Sequence, residues 1–461
     1  MRRARLTVRD GGRPYHPGVI PVGPELPGSP TSALRLRRLP ERIAAARPID
    51  VAEAFRDLPG LALLESARPG RNARWSYLTA DPVAVLEAPA AGPDPFAVAR
   101  RLVARLDATP IGADAPRFLG GLLGFIGYDL AHVLERLPSV AEDDQGLPPL
   151  RLALHDWVVA WDRRTGQAWI GGRAMDGDGR RLARRIDEVH ARLTTPAARG
   201  SVVSVAGVGP LEERDPFRFQ SSLSRAEYEA GVERVRDHIA LGDLYQANLT
   251  RRLATPYDGD PWSLYRRLRT GDPSLFSAYL DLGPSQETGR PRALLSASPE
   301  PFLSLDVEGV VATDPIKGTR PRGRSRAEDR ALACELLASA KDRAENVMIV
   351  DVMRNDLGRV CEPGTVRVPR LCRLERTAAV QHLVSTVTGR LAPGRDPFDL
   401  LAASFPGGSI TGAPKIRAME ILEGLEPCAA ARTPARSAGS DRTGRCRPAS
   451  SSGRSWRTGG G

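Results

Sequence analysis

Residues 429–461 contain no Val, Ile, Leu, Phe, Met, Tyr, Glu or Lys. They consist of Ala, Arg, Gly, Ser, Thr and Pro, with a single Cys, Asp and Trp. Such a composition carries too little apolar surface to offset the entropy of ordering a chain. Any core this sequence builds must therefore come from the residues before 429. The change follows closely on an amphipathic helical pattern over 411–424, and reads as a shifted reading frame. A disordered basic tail is the other reading.

Ahead of that point the chain has the balance of a globular protein, with 41% apolar and 26% charged residues overall. Its 461 residues suit two or three domains, or one two-lobed enzyme. The net charge of +11 sits at the ends, because 1–40 and 429–461 each carry +6 and the body carries −1. A nucleic-acid reader needs a basic face on its fold, so nucleic acid is discounted as a partner. Cys334, Cys361, Cys372, Cys428 and Cys446 form no CxxC pair, which predicts free thiols, no structural zinc and a cytoplasmic setting. The longest apolar stretch, 118–127, is too short to span a bilayer, and no apolar segment follows the N-terminal arginines as in a secretory signal.

Residues 1–33 read as a flexible Gly/Pro-rich extension, 34–208 as a first lobe ending in a small-residue linker at 200–209, and 209–428 as a second lobe. In the first lobe, 62–64 and 83–86 predict strands, 94–106 a helix, and 152–161 with 168–171 a β-hairpin. The glycines of 118–129 predict a buried strand where backbones approach closely. In the second, Ser224-Arg-Ala-Glu227 is a capping box opening a helix to about Leu241. Strands are expected over 245–253, 293–305 and 380–389, and helices over 326–337 and from 411. Residues 342–352 read as a helix or a helix-to-strand passage.

Only three lysines occur among 66 basic residues: Lys317, Lys341 and Lys415. An amine can lose its proton and attack carbon, which guanidinium cannot, so a surviving lysine points to chemistry. Lys317 lies in Asp314-Pro-Ile-Lys-Gly-Thr-Arg-Pro-Arg-Gly323, between an expected strand end and a glycine turn. Gly318 would let a ligand approach the backbone, and Thr319 offers a hydroxyl; alone, the stretch would also serve as a basic surface loop. Glu300, in Ser298-Pro-Glu300, could supply a general acid or be an ordinary solvated residue. Glu345 precedes an apolar stripe, and Asp351, Arg354, Asn355 and Asp356 follow it, implying buried ion pairs or a hard-metal site. His382 reads by itself as a core histidine. Phe405-Pro-Gly-Gly-Ser-Ile-Thr-Gly-Ala-Pro-Lys415 runs a glycine turn into a helix start, either an anion-binding end or a plain cap.

Together these motifs resemble the chorismate-utilising enzymes, the family of anthranilate synthase component I and aminodeoxychorismate synthase component I. The resemblance runs from about Leu34 to Pro427 and rests most on Thr411-Gly-Ala-Pro-Lys415 and Arg354-Asn-Asp-Leu-Gly358. Leu63-Leu-Glu-Ser66, Arg74-Trp-Ser-Tyr-Leu-Thr-Ala-Asp-Pro82 and Gly242-Asp-Leu-Tyr-Gln-Ala-Asn248 add to it. It implies an α+β, two-lobed fold with large, mainly antiparallel sheets flanked by helices. Lysine before Gly318-Thr319 is similar to aminodeoxychorismate, isochorismate and salicylate synthases, where anthranilate synthases have alanine. The pattern looks most like aminodeoxychorismate synthase component I, which aminates chorismate on the way to para-aminobenzoate and folate.

The resemblance further implies Lys317, Glu300 and His382 as catalytic residues and Gly318, Thr319, Ser409, Thr411 and Gly412 as substrate-binding. It implies Glu345 as a magnesium ligand, and a tryptophan-type pocket at Ser66, Arg74, Trp75, Phe276 and Ser277. A separate glutamine amidotransferase subunit would supply ammonia, since no cysteine here sits in a glycine-flanked nucleophile elbow. Family members continue past the position of Pro427 with further strands and a helix bearing a second magnesium glutamate, none of which 429–461 resembles. The expectation is a chain impaired as written. Isochorismate or salicylate synthesis, anthranilate synthesis, and a non-enzymatic remnant that binds a partner subunit remain the alternatives.

Overall fold

The computed structural model describes residues 33–427 except 68–72, 89–93, 113, 142, 195–218, 272, 286–288 and 378, together with the backbone of Arg5–Asp10 and Arg13–Pro14. The expected linker at 200–209, most of the extension at 1–33 and the tail at 429–461 lie outside the described residues.

Three large antiparallel sheets carry the fold, as the α+β expectation requires. The first has five strands, in the order Arg13–Pro14, Arg5–Asp10, Ala84–Ala88, Leu150–His155 and Gly121–Ile126. The glycine-rich stretch forms its edge, and a Cβ on Gly124 would lie 1.9 Å from the Arg151 carbonyl oxygen. Only glycine fits that approach. The expected hairpin beginning at 152 divides here. Leu150–His155 stays in this sheet, while Trp157–Asp162 pairs with Gln167–Arg173 in the next. The break falls at buried Asp156, whose carbonyl accepts from the Arg173 N–H at 3.0 Å.

The second sheet has seven strands, in the order Pro291–Ser298, Phe276–Pro284, Ala62–Glu65, Trp75–Thr79, Trp157–Asp162, Gln167–Arg173 and Leu34–Arg38. Two of these strands come from beyond 209, so hydrogen-bonded structure crosses the expected lobe boundary. Its core combines Leu63, Leu78, Trp157 and Ile170 with Trp262, Tyr265 and Tyr279.

In the third sheet, Val380–Arg390 pairs with Val310–Thr313 and Ile316–Pro321 along one edge and Arg367–Arg376 along the other. Helix Ala340–Gly358 covers it, burying Asn346, Ile349, Val350, Met353 and Leu357. That spacing is one helical stripe, which resolves the helix-or-passage alternative in favour of a single helix. The expected capping box is present, with Ser224 and Glu227 satisfying each other's backbone N–H groups ahead of Arg225–Ala240. The strand expected over 245–253 shrinks to two pairs, Gln246–Ala247 and Leu253–Ala254. The Gln246–Ala247 piece pairs with Gly412–Ala413, and the next residue, Asn248, donates its backbone N–H to the Thr411 carbonyl at 2.9 Å. None of the described helices is long and apolar enough to cross a membrane. Cys334, Cys361 and Cys372 are free thiols.

Candidate active site

Lys317 lies within a strand, Ile316–Pro321, rather than between a strand end and a turn. The register against Val380–Arg390 shifts between Ile316 and Thr319, and Gly318 takes φ +84° inside that bulge. A Cβ there would lie 2.9 Å from Asp342 Cβ and 3.1 Å from Leu336 Cδ1, so the helices behind the strand demand glycine. The bulge re-aims Lys317, which sequence alone could not anticipate.

The Lys317 amine donates to the Ser409 carbonyl at 3.3 Å. Burial pushes that amine below the ordinary lysine range, while Glu300 and Glu345 pull it back up. Glu300 Oε1 accepts from the Ile316 N–H at 3.1 Å and the Ser409 hydroxyl at 3.0 Å. Burial pushes the Glu300 carboxyl above its ordinary value, against the pull of Ile316, Ser409 and Lys317. Both groups are thus displaced toward their neutral forms, the states needed for a nucleophilic amine and a proton-donating acid. Ser298 fixes the turn before the acid, its hydroxyl donating to the Glu300 carbonyl at 3.1 Å.

Thr319 faces His382 across the sheet, with its hydroxyl 2.9 Å from His382 Nδ1. The histidine is buried, as its reading as a core residue implied. The stretch 405–415 arrives from the opposite side. Thr411 is buried and donates its hydroxyl to the Gly407 and Gly408 carbonyls at 3.2 and 3.4 Å, closing the turn. Gly412 pairs with Ala247, and a Cβ on it would lie 2.2 Å from the Gln246 carbonyl oxygen. Thr411 and Gly412 are therefore taken up in the frame of the turn, and Ser409 is the residue it presents to Glu300 and Lys317.

A lysine in a strand bulge and a glutamic acid, both displaced toward their neutral forms, thus meet beside the glycine turn that carries Ser409. The profile described as chorismate binding enzyme matches residues 63–431. The chain belongs to the chorismate binding enzyme family. Anthranilate synthase component 1 of Streptomyces coelicolor is 42% identical over 372 residues, covering 79% of this chain and 70% of that protein. Aminodeoxychorismate synthase component 1 of Klebsiella aerogenes is 40% identical over 334 residues, covering 72% of this chain and 68% of its own length. Among solved structures, anthranilate synthase component I from Streptococcus pneumoniae aligns with TM-score 0.63 and 29% identity over 78% of this chain and 79% of that one. The protein is a chorismate-utilising enzyme.

Other family motifs take definite places. Of the polar run after Glu345, Asp351 and Arg354 form an exposed pair at 2.8 Å and Asn355 is exposed. Asp356 is buried and accepts from Lys415 at 2.6 Å, and the same amine donates to the Ser404 carbonyl at 2.9 Å. The run thus holds an ion pair, and among the described residues no group of three or more His, Cys, Asp or Glu is placed to hold a metal. Glu345 is half-buried, and its ion pair is a loose one of 3.8 Å to exposed Lys341. Such a carboxylate suits magnesium as one hard donor, with the remaining positions left to substrate oxygens and water.

At one end of the seven-stranded sheet, Ser66 donates to the Trp75 carbonyl at 3.2 Å, next to the Glu65–Ser277 pairing that brings Phe276 alongside. Arg74 is held by Asp162 at 2.9 Å and lies over the Trp75 ring at 4.9 Å. Ser66 and the Arg74–Trp75 pair thus sit at the same strand ends as Phe276 and Ser277. Two further residues were not singled out from sequence. Asn248 Nδ2 holds the Ser409 and Thr411 carbonyls, each at 3.2 Å, and Asp342 stands behind Gly318. The signal for Asn248 was present, as the last residue of a family-like segment.

Proposed function

We propose that this chain is the large subunit of an aminodeoxychorismate synthase, converting chorismate to aminodeoxychorismate with ammonia from a glutamine amidotransferase subunit. The observation that carries the reading is Lys317, a half-buried amine displaced toward neutrality beside a glutamic acid displaced toward protonation. Relatives named component 1 support a partner subunit.

The Lys317 nitrogen attacks the chorismate ring. A C–N bond forms as the ring C–O bond breaks, and its electron pair leaves with the hydroxyl oxygen. Glu300 gives that oxygen its proton, so water departs and Glu300 becomes a carboxylate. Ammonia then forms the new C–N bond, Lys317 leaves as a neutral amine, and Glu300 takes up a proton from the new ammonium. Gly318 and Thr319 hold substrate against the strand, and His382 fixes the Thr319 hydroxyl. Glu345 would hold magnesium, which when bound neutralises and orients a substrate carboxylate. The first-lobe cluster around Ser66 and Trp75 is assigned to a tryptophan-like ligand.

Anthranilate synthesis is the second reading, favoured by the 42% identity to the Streptomyces protein. The test is to incubate the purified chain with magnesium, chorismate and ammonium and separate the products. Aminodeoxychorismate that disappears in Lys317→Ala supports the proposal. Anthranilate, or isochorismate or salicylate formed without need of ammonium, overturns it. A folded chain with no product that still binds an amidotransferase subunit favours the non-enzymatic remnant.

A further inference from the structure

The two oxygens of the Glu300 carboxyl have unlike surroundings. Both donors that reach it from the described residues, the Ile316 N–H at 3.1 Å and the Ser409 hydroxyl at 3.0 Å, fall on Oε1. A carboxyl oxygen has two lone pairs, so these donors fill Oε1 and a proton added to the group goes to Oε2. The Ile316 N–H comes with the strand that bears Lys317. The hydroxyl comes from a different element, and the same residue's carbonyl accepts from Lys317 Nζ at 3.3 Å. Asn248 anchors that carbonyl from outside at 3.2 Å, so the turn is held in place independently of the acid.

We propose that Ser409 is a positioning residue for the reaction: its hydroxyl fixes the Glu300 carboxyl and places the transferable proton on Oε2, while its carbonyl holds the Lys317 amine. One residue thereby sets the relative placement of proton donor and nucleophile. This assigns Ser409 a role through Glu300 and Lys317 in place of direct contact with substrate, and it rests on reading Glu300 as the proton donor. The charged groups facing the acid are Lys317 on its strand and, through Lys317, Glu345 on the long helix.

A donor to the carboxylate favours the ionised form, so its removal raises the pH at which Glu300 gives up its proton. The test follows that titration directly, in protein labelled with carboxyl-13C glutamate, the Glu300 line being assigned by its loss in Glu300→Gln. In Ser409→Ala the line is expected to titrate about 0.5–1 pH unit higher than in the unsubstituted protein. Ser409→Thr, which keeps a hydroxyl, restores the original midpoint. With chorismate and ammonium, Ser409→Ala lowers kcat about tenfold or more, leaves KM within about threefold and moves the alkaline limb upward. A Glu300 titration in Ser409→Ala that superimposes on the unsubstituted one overturns the proposal, as does a fall in kcat with no movement of that limb. If Ser409→Ala does not fold, Ser409→Cys replaces it, the weak thiol donor giving a partial shift; no shift there also overturns it. Failure of the amination reading shows separately, as absence of aminodeoxychorismate from the unsubstituted chain, and leaves the carboxyl titration as the measure of Ser409.

Discussion

Gly318 sits where a strand, a bulge and two helices meet, and its missing side chain is what lets Lys317 point into the site. At φ +84° an L-residue is strained, and the space a Cβ would need is held by Asp342 and Leu336. Gly318→Ala is therefore expected to lower stability by about 1–3 kcal/mol, seen as a lower urea midpoint with unchanged m-value. An unchanged midpoint would mean that the bulge relaxes freely and does not hold the lysine. The lysine itself was legible from composition, because an amine among so many guanidinium groups needs a reason. Its place in a bulge was not legible. The register shift is set by pairing with a strand more than sixty residues later, and nothing local to Asp314-Pro-Ile-Lys reports it. Thr411 shows the reverse limit: the motif marked the residue, but only the folded turn shows its hydroxyl spent on Gly407 and Gly408.

Elements with one dominant local signal were legible. The capping box of Arg225–Ala240 formed as its spacing predicts, whereas 342–352, open between helix and passage in the sequence, lies within the single helix Ala340–Gly358. The stretch 245–253 was not legible, because Gln246–Ala247 takes its partner from Gly412–Ala413, more than 160 residues later. The long helix is tied to the start of the last described helix, Lys415–Glu423, by the buried Asp356–Lys415 pair. Removing the lysine strands a buried carboxylate, so Lys415→Met is expected to cost about 3–5 kcal/mol at neutral pH. Asp356→Leu with Lys415→Met should recover most of that loss, because a well-packed apolar pair of similar volume avoids the desolvation. Burial outweighs the lysine's pull and pushes Asp356 up to about 6 from 3.8. A carboxyl whose value is raised on folding contributes stability below its unfolded value and loses it as pH rises through the folded one. The unsubstituted protein should therefore lose stability between about pH 4 and 6 relative to Asp356→Asn. Urea midpoints across that range check both statements, and parallel curves would remove Asp356 as the source of the slope.

At the scale of the whole molecule, hydrogen-bonded structure runs across position 208, where the linker composition suggests a boundary. Phe276–Pro284 lies between Ala62–Glu65 and Pro291–Ser298, so a break at 208 divides the seven-stranded sheet through its interior. The same break separates Trp262, Tyr265 and Tyr279 from the core they share with Leu63, Trp157 and Ile170. It also parts the Arg269–Glu65 pair at 2.8 Å and the Arg100–Asp396 pair at 2.5 Å. Each buried aromatic contributes about 1.5–3 kcal/mol, so three of them alone approach the ~5–15 kcal/mol that holds a typical domain together. Neither fragment 1–208 nor fragment 209–461 is thus expected to fold by itself. Expressed together, with a tag on one, they should co-purify, resist protease and melt in a single transition. A fragment 209–461 that alone resists protease and melts cooperatively would show the second lobe to be an independent domain. Composition pointed to 200–209 as a boundary because small residues mark chain breaks locally, whereas a strand that crosses over to complete an earlier sheet leaves no trace in the linker it passes through.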